Sequence, residues 1–105
     1  MTMQHHQTEL VIGADHPALE GHFPGNPVVP GVVLLDCALE AAEDWLAQPL
    51  EVATLTQAKF LAPLLPDERA QIALAKSGGT LSFKITRGDT LLAQGAFALA
   101  EEALA

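Results

Sequence analysis

The stretch Gly21-His22-Phe23-Pro24-Gly25-Asn26-Pro27-Val28-Val29-Pro30-Gly31-Val32-Val33-Leu34-Leu35-Asp36 joins a loop histidine, a ladder of prolines, a helix start and a carboxylate. It closes a longer segment, Gly13 to Pro30, that holds four prolines and three glycines and so excludes regular helix. Connections of this length are uncommon in compact domains, and the ordered ones usually carry function. Pro30 suits the first position of a helix, and good helix formers run from Gly31 to about Ala47, ahead of Gln48-Pro49. The first half of that helix, Val32 to Leu39, is apolar on every side except at Asp36, which predicts a helix enclosed by other elements.

Outward from the helix the chain reads as strands. Gln7 to Ile12 opens the chain's sheet, and Glu51–Leu61, Arg69–Lys76, Thr80–Thr86 and Thr90–Ala100 follow the helix. Pro63 with Pro66-Asp67, Ser77-Gly78-Gly79 and Arg87-Gly88-Asp89 supply the turns between them. Leu81-Ser82-Phe83-Lys84-Ile85-Thr86 alternates apolar with polar, as expected of an antiparallel sheet with one face on the core. One long helix and a meander of strands predict a single α+β domain over residues 1–105, its sheet curved around the helix.

Composition narrows the function. Half of the 105 residues are apolar and 17% are charged, a balance that favours a packed globule. Thirteen acidic residues against five basic ones give a formal charge of −8, with no cationic excess for nucleic acid. Cys37 is the lone cysteine, so no internal disulfide or multi-thiolate metal site forms within one chain, and a reducing, cytoplasmic setting fits. No apolar run is long enough for a membrane span. The polar start, with His5 and His6, reads as a disordered terminus.

The residue types in the opening stretch suit acid/base chemistry. Prolines limit the freedom of the loop, so His22 is held in a set position against the helix start. The unpaired N–H groups there attract developing negative charge, and Gly31 leaves the backbone open to close approach. An N–H fixed against an enolate-like oxygen contributes a few kcal/mol, and the Gly31 N–H is the candidate donor. Histidine takes up a proton near neutrality, while a carboxylic acid such as Asp36, kept protonated by burial, delivers one. Plainer readings stand beside these. His22 fits a hydrogen-bonding loop residue, and Asp36, Glu40 and Glu43 fall at the spacing of one acidic stripe facing water. Cys37 and Trp45 read as packing residues.

This stretch closely resembles the signature of the beta-hydroxyacyl-acyl carrier protein dehydratases. In that family a histidine precedes Phe-Pro-Gly, then a Pro-hydrophobic-hydrophobic-Pro-Gly step, then a helix carrying an acid. His22, Gly31 and Asp36 match the family's catalytic histidine, amide donor and acid, with the same fourteen-residue step from histidine to acid. Aspartate at the acid position resembles the branch that acts on 3-hydroxydecanoyl substrates. A second anchor, Gln57-Ala58-Lys59-Phe60-Leu61-Ala62-Pro63-Leu64-Leu65-Pro66-Asp67, resembles the family's strand into a Pro-hydrophobic-hydrophobic-Pro turn. The resemblance runs from about Val11 to Leu99 and implies the hotdog fold. It also implies a homodimer with active sites at the interface, histidine from one subunit and acid from the other. The implied reaction is loss of water from a 3-hydroxyacyl thioester on acyl carrier protein or coenzyme A, giving the trans-2-enoyl thioester without metal or organic cofactor.

The chain also departs from that pattern. It is shorter than typical members and lacks their N-terminal elaboration, has no tyrosine, and carries Glu40 where the family commonly has glutamine. Compact dehydratases of bacterial aryl polyene clusters are of this general kind. An acidic carrier would be repelled by a chain of charge −8 unless Lys59, Arg69, Lys76, Lys84 and Arg87 are clustered. Two other assignments are compatible with the sequence: a hotdog acyl thioesterase, and a non-catalytic thioester-binding subunit paired with a longer dehydratase in a heterodimer.

Overall fold

The computed structural model describes residues 4–19 and 28–100. Strand β1 (Gln4–Leu10) leads through a 3₁₀ turn (Pro17–Leu19) to helix α1 (Gly31–Leu46), and β2 (Val52–Phe60), β3 (Ala70–Ser77), β4 (Thr80–Arg87) and β5 (Thr90–Leu99) follow. The five strands form one sheet in the order β1-β3-β4-β5-β2, and every neighbouring pair is antiparallel. The elements expected from sequence are all present, with no end displaced by more than three residues.

The largest displacement is a correction. His5 and His6 lie within β1, paired to Ala75 and Leu74 of β3, and do not form a disordered terminus. A polar strand at a sheet edge gains its order from the ladder of a neighbour, a signal that a local reading of Met1–Thr8 lacks. His6 is further held by its ring, which stacks on Trp45 of α1 at 5.3 Å between centroids and 10° between planes.

Helix α1 begins at Gly31, one residue later than a proline-first start. Pro30 is extended (φ −61°, ψ 146°) and its carbonyl accepts from Val33 and Leu34. At the other end Ala47 takes the left-handed conformation (φ 56°), and its N–H and that of Gln48 both return to the Glu43 carbonyl. Val33, Leu34, Ala38 and Ala42 form the buried stripe of the helix. The expectation of an enclosed helix is therefore corrected: Val32 is 63% exposed and Asp36, Glu40 and Asp44 lie on the same open side.

Alternation in the strands delivers Ile72, Leu74, Leu81, Phe83 and Ile85 to the core face, where they meet the helix stripe together with Leu64 and Leu92. Each contributes roughly 1.5–3 kcal/mol by burial. Phe83 and Phe97 pack with tilted rings 5.5 Å apart. Gly95 is set by contact: a Cβ there would stand 2.3 Å from the Gln57 carbonyl oxygen and 2.8 Å from Phe83 Cζ.

Strand β2 differs from the others. Its register against β5 slips between Val52 and Thr54 and again between Leu55 and Gln57, so two extra residues bend it. Thr56 Oγ1 donates to the Ala96 carbonyl at 3.1 Å across the second slip. It forms one edge of the sheet, and most of its residues are exposed, including the apolar Leu55 and Phe60. Among the described residues no helix is long and apolar enough to cross a membrane.

Candidate active site

The start of α1 faces the end of β2 and the turn after it. Between them lies a cavity of about 620 Å³, lined by residues 28–31 and Leu34 on one side and residues 60–64 on the other. The lining is almost wholly apolar by residue type. A backbone bond from the Val29 N–H to the Leu64 carbonyl (2.9 Å) clasps its two walls together. The turn wall is held from behind, where Arg87 Nη1 donates to the Pro63 carbonyl and to Glu68 Oε1, both at 2.9 Å. Glu68 Oε1 also accepts from the Leu65 N–H.

Gly31 forms the cavity's rim at the first helical residue, the place anticipated for an amide donor. A Cβ added to it would stand 2.9 Å from Cε1 and Cζ of Phe60. Phe60 is thus a site residue that sequence reasoning did not single out. Its signal was present as the aromatic that ends β2 just before the Leu-Ala-Pro turn.

Asp36 lies five residues further along α1. Five residues carry a side chain about 140° around a helix and about 7.5 Å along it, so Asp36 faces away from the cavity beside Gly31. It is exposed, with Val32 and Glu40 on the same side. The expected acidic stripe is partly dissolved, because Glu43 is half-buried and accepts from the Leu50 N–H at 2.8 Å. His22 falls outside the described residues, so of the three expected site residues the structure describes Gly31 and Asp36.

Cys37 is half-buried beside Asp36. Burial pushes its thiol pKa up, and the Glu40 and Asp36 carboxylates push it further. This is the opposite of what an activated nucleophile needs. Among the described residues no group of three or more histidine, cysteine or acidic side chains is placed to hold a metal ion.

A family model described as ApeI-like dehydratase matches residues 1–96. The chain belongs to the ApeI-like dehydratase family. Among its curated relatives, the FabZ 3-hydroxyacyl-[acyl-carrier-protein] dehydratase of Chloroflexus aggregans is 34% identical over 85 residues, covering 79% of this chain and 48% of that one. The corresponding protein of a Caulobacter species is 29% identical over 98 residues, covering 80% and 60%. The chain thus spans about half the length of the curated relatives it matches.

Among solved structures, the dehydratase heterocomplex ApeI:P from Xenorhabdus doucetiae has a TM-score of 0.84 at 22% identity, covering 96% of both chains. A protein from Erwinia carotovora subsp. atroseptica has a TM-score of 0.80 at 29% identity, covering 93% of this chain and 84% of that one. The likeness extends to an (R)-hydratase of A. caviae, with a TM-score of 0.65 at 14% identity and coverage of 91% and 92%. This ApeI-like dehydratase therefore has the hotdog fold anticipated from sequence.

Proposed function

We propose that the chain is a dehydratase that removes water from a 3-hydroxyacyl thioester carried on acyl carrier protein, giving the trans-2-enoyl thioester. His22 removes the C2 proton, the Gly31 N–H donates to the thioester oxygen as negative charge develops there, and Asp36 protonates the departing hydroxyl. The apolar cavity beside Gly31 receives the acyl chain.

The observation that carries this reading is the angular separation of Gly31 and Asp36 on one helix. An acid pointing away from its own chain's amide donor and cavity cannot serve that cavity, but it is free to serve the cavity of a second chain. The working unit is accordingly a dimer, in which His22 and Gly31 of one protomer meet Asp36 of its partner. The open edge of β2, with exposed Leu55 and Phe60, and exposed Val32 beside Asp36 supply the surface for such a pairing. Assembly would also withdraw the exposed Asp36 from water.

A second reading, a subunit that works beside a longer dehydratase, is supported by the likeness to the dehydratase heterocomplex ApeI:P of Xenorhabdus doucetiae. The test is to incubate the purified protein with 3-hydroxyacyl thioesters, both on acyl carrier protein and on a short pantetheine mimic, and to identify the product. Enoyl thioester, lost in His22→Ala and Asp36→Asn, is the expected result. Free acid would instead identify a thioesterase, and turnover only with an added partner would identify the subunit. Equal dehydration by wild type and both variants would overturn the residue assignment.

A further inference from the structure

Five cations serve a chain of charge −8, and their placement is uneven. Arg87 is committed to Glu68 at 2.9 Å, and Lys76 Nζ donates to the Gly78 carbonyl at 3.0 Å. Lys59 and Lys84 stand elsewhere, on the sheet face turned away from α1. Strand register aligns them: Lys84 pairs with Gln94, and Gln94 pairs with Lys59. Two strand spacings separate the lysines by about 10 Å.

The next row on the same face runs His5, Ala75, Ser82, Ala96 and Gln57. Its small residues, with Ala73 beside them, leave a groove of about 430 Å³ across the sheet, and among the described residues no carboxylate lines that groove. On a strongly acidic molecule, this furrow is bordered by the amides of Gln57 and Gln94 and by Lys84, with Lys59 next to Gln94 on the same face. A furrow floored by alanine and serine admits an approaching helix closely, and the lysines attract one that is acidic.

We propose that this outer sheet face is the docking surface for an acidic carrier protein. The proposal rests on the dehydratase reading, which supplies the need for such a partner. It also answers how a chain of charge −8 receives an acidic carrier: through local rather than net complementarity. Lys59 directly precedes Phe60, which turns inward onto Gly31, so the docking face and the cavity meet at the end of β2. A thioester on a flexible prosthetic arm passes the end of that strand to reach the cavity.

The test uses the full chain and an acyl carrier protein whose phosphopantetheine bears a stable acyl amide. Binding is measured by titration calorimetry for wild type, for Lys59→Glu with Lys84→Glu, and for Arg69→Glu as a control. Affinity is expected to fall about tenfold or more in the double variant and little in the control, and added salt should weaken only the wild-type and control complexes. Turnover of the pantetheine mimic should be unchanged in all three.

Unchanged carrier affinity in the double variant, or no carrier binding by wild type, overturns the docking assignment. So does a change of oligomeric state in the double variant by sedimentation, which would assign the face to a second copy of the chain. Failure of wild type to dehydrate the mimic while carrier binding follows the lysines would instead count against the reaction assigned above and leave the docking surface supported.

Discussion

Gly31 and Phe60 occupy adjoining space so closely that one methyl group cannot be added between them: a Cβ on residue 31 would stand 2.9 Å from two carbons of the Phe60 ring. Phe60 is 51% exposed, so its ring has somewhere to go, but only by leaving the cavity wall. Gly31→Ala is expected to cost about 1–3 kcal/mol through this overpacking. Phe60→Leu trims the ring that causes the clash, so the pair of substitutions should be more stable than the sum of the single losses implies, by about 1 kcal/mol. Urea unfolding of the four proteins measures that coupling, and strict additivity would mean that the contact is unimportant.

The proposed cross-subunit site makes a prediction about mixtures. His22→Ala and Asp36→Asn are each expected to be inactive alone. Unfolded together and refolded at equal amounts, half of the dimers are mixed and each mixed dimer regains one intact site, so about a quarter of wild-type activity returns. A mixture as inactive as its components would place both residues in one chain's site.

The stack of His6 on Trp45 joins the first strand to the helix. His6→Ala is expected to lower stability by about 0.5–1.5 kcal/mol and to shift tryptophan emission toward the red, because the indole face is uncovered. Trp45 is the chain's only tryptophan, so fluorescence reads this contact alone. Emission and stability matching wild type would show that the stack contributes nothing in solution.

Cys37 should be sluggish toward iodoacetamide near neutral pH compared with a free thiol, since burial and the two carboxylates beside it disfavour the thiolate. The sign for stability follows. With its pKa raised in the folded state, Cys37 stays protonated after the unfolded chain has begun to lose its thiol proton. Its contribution is whole below the unfolded thiol pKa and is lost as pH rises through the folded one. Cys37→Ala should flatten that alkaline decline in a urea series, and a decline of equal steepness would assign it to other groups.

Much of this molecule was legible locally. Alternation in β4 and the Gly-rich turns around it mark the sheet, and Pro30-Gly31 marks the helix start within one residue, because these features depend on neighbours in sequence. Two features were not legible, for a common reason. His6 gains its order from Leu74 and Trp45, and Phe60 gains its role from Gly31, so each is decided by a residue far away in the chain. Helix α1 misled in the other direction. Val32 is apolar, yet it faces outward, and a pattern of apolar residues does not say whether the surface that covers them belongs to the same chain.

On the proposed pairing, the bent edge strand β2 would make the protein's activity depend on its own abundance. Such a partnership would obey mass action, so dilution below its dissociation constant would strip each chain of the acid proposed to come from its neighbour and of the stability that pairing contributes. Specific activity would then fall with concentration rather than stay constant. A cell making little of this protein would hold intact chains that do almost no chemistry, and modest changes in expression would be felt more than proportionately in flux.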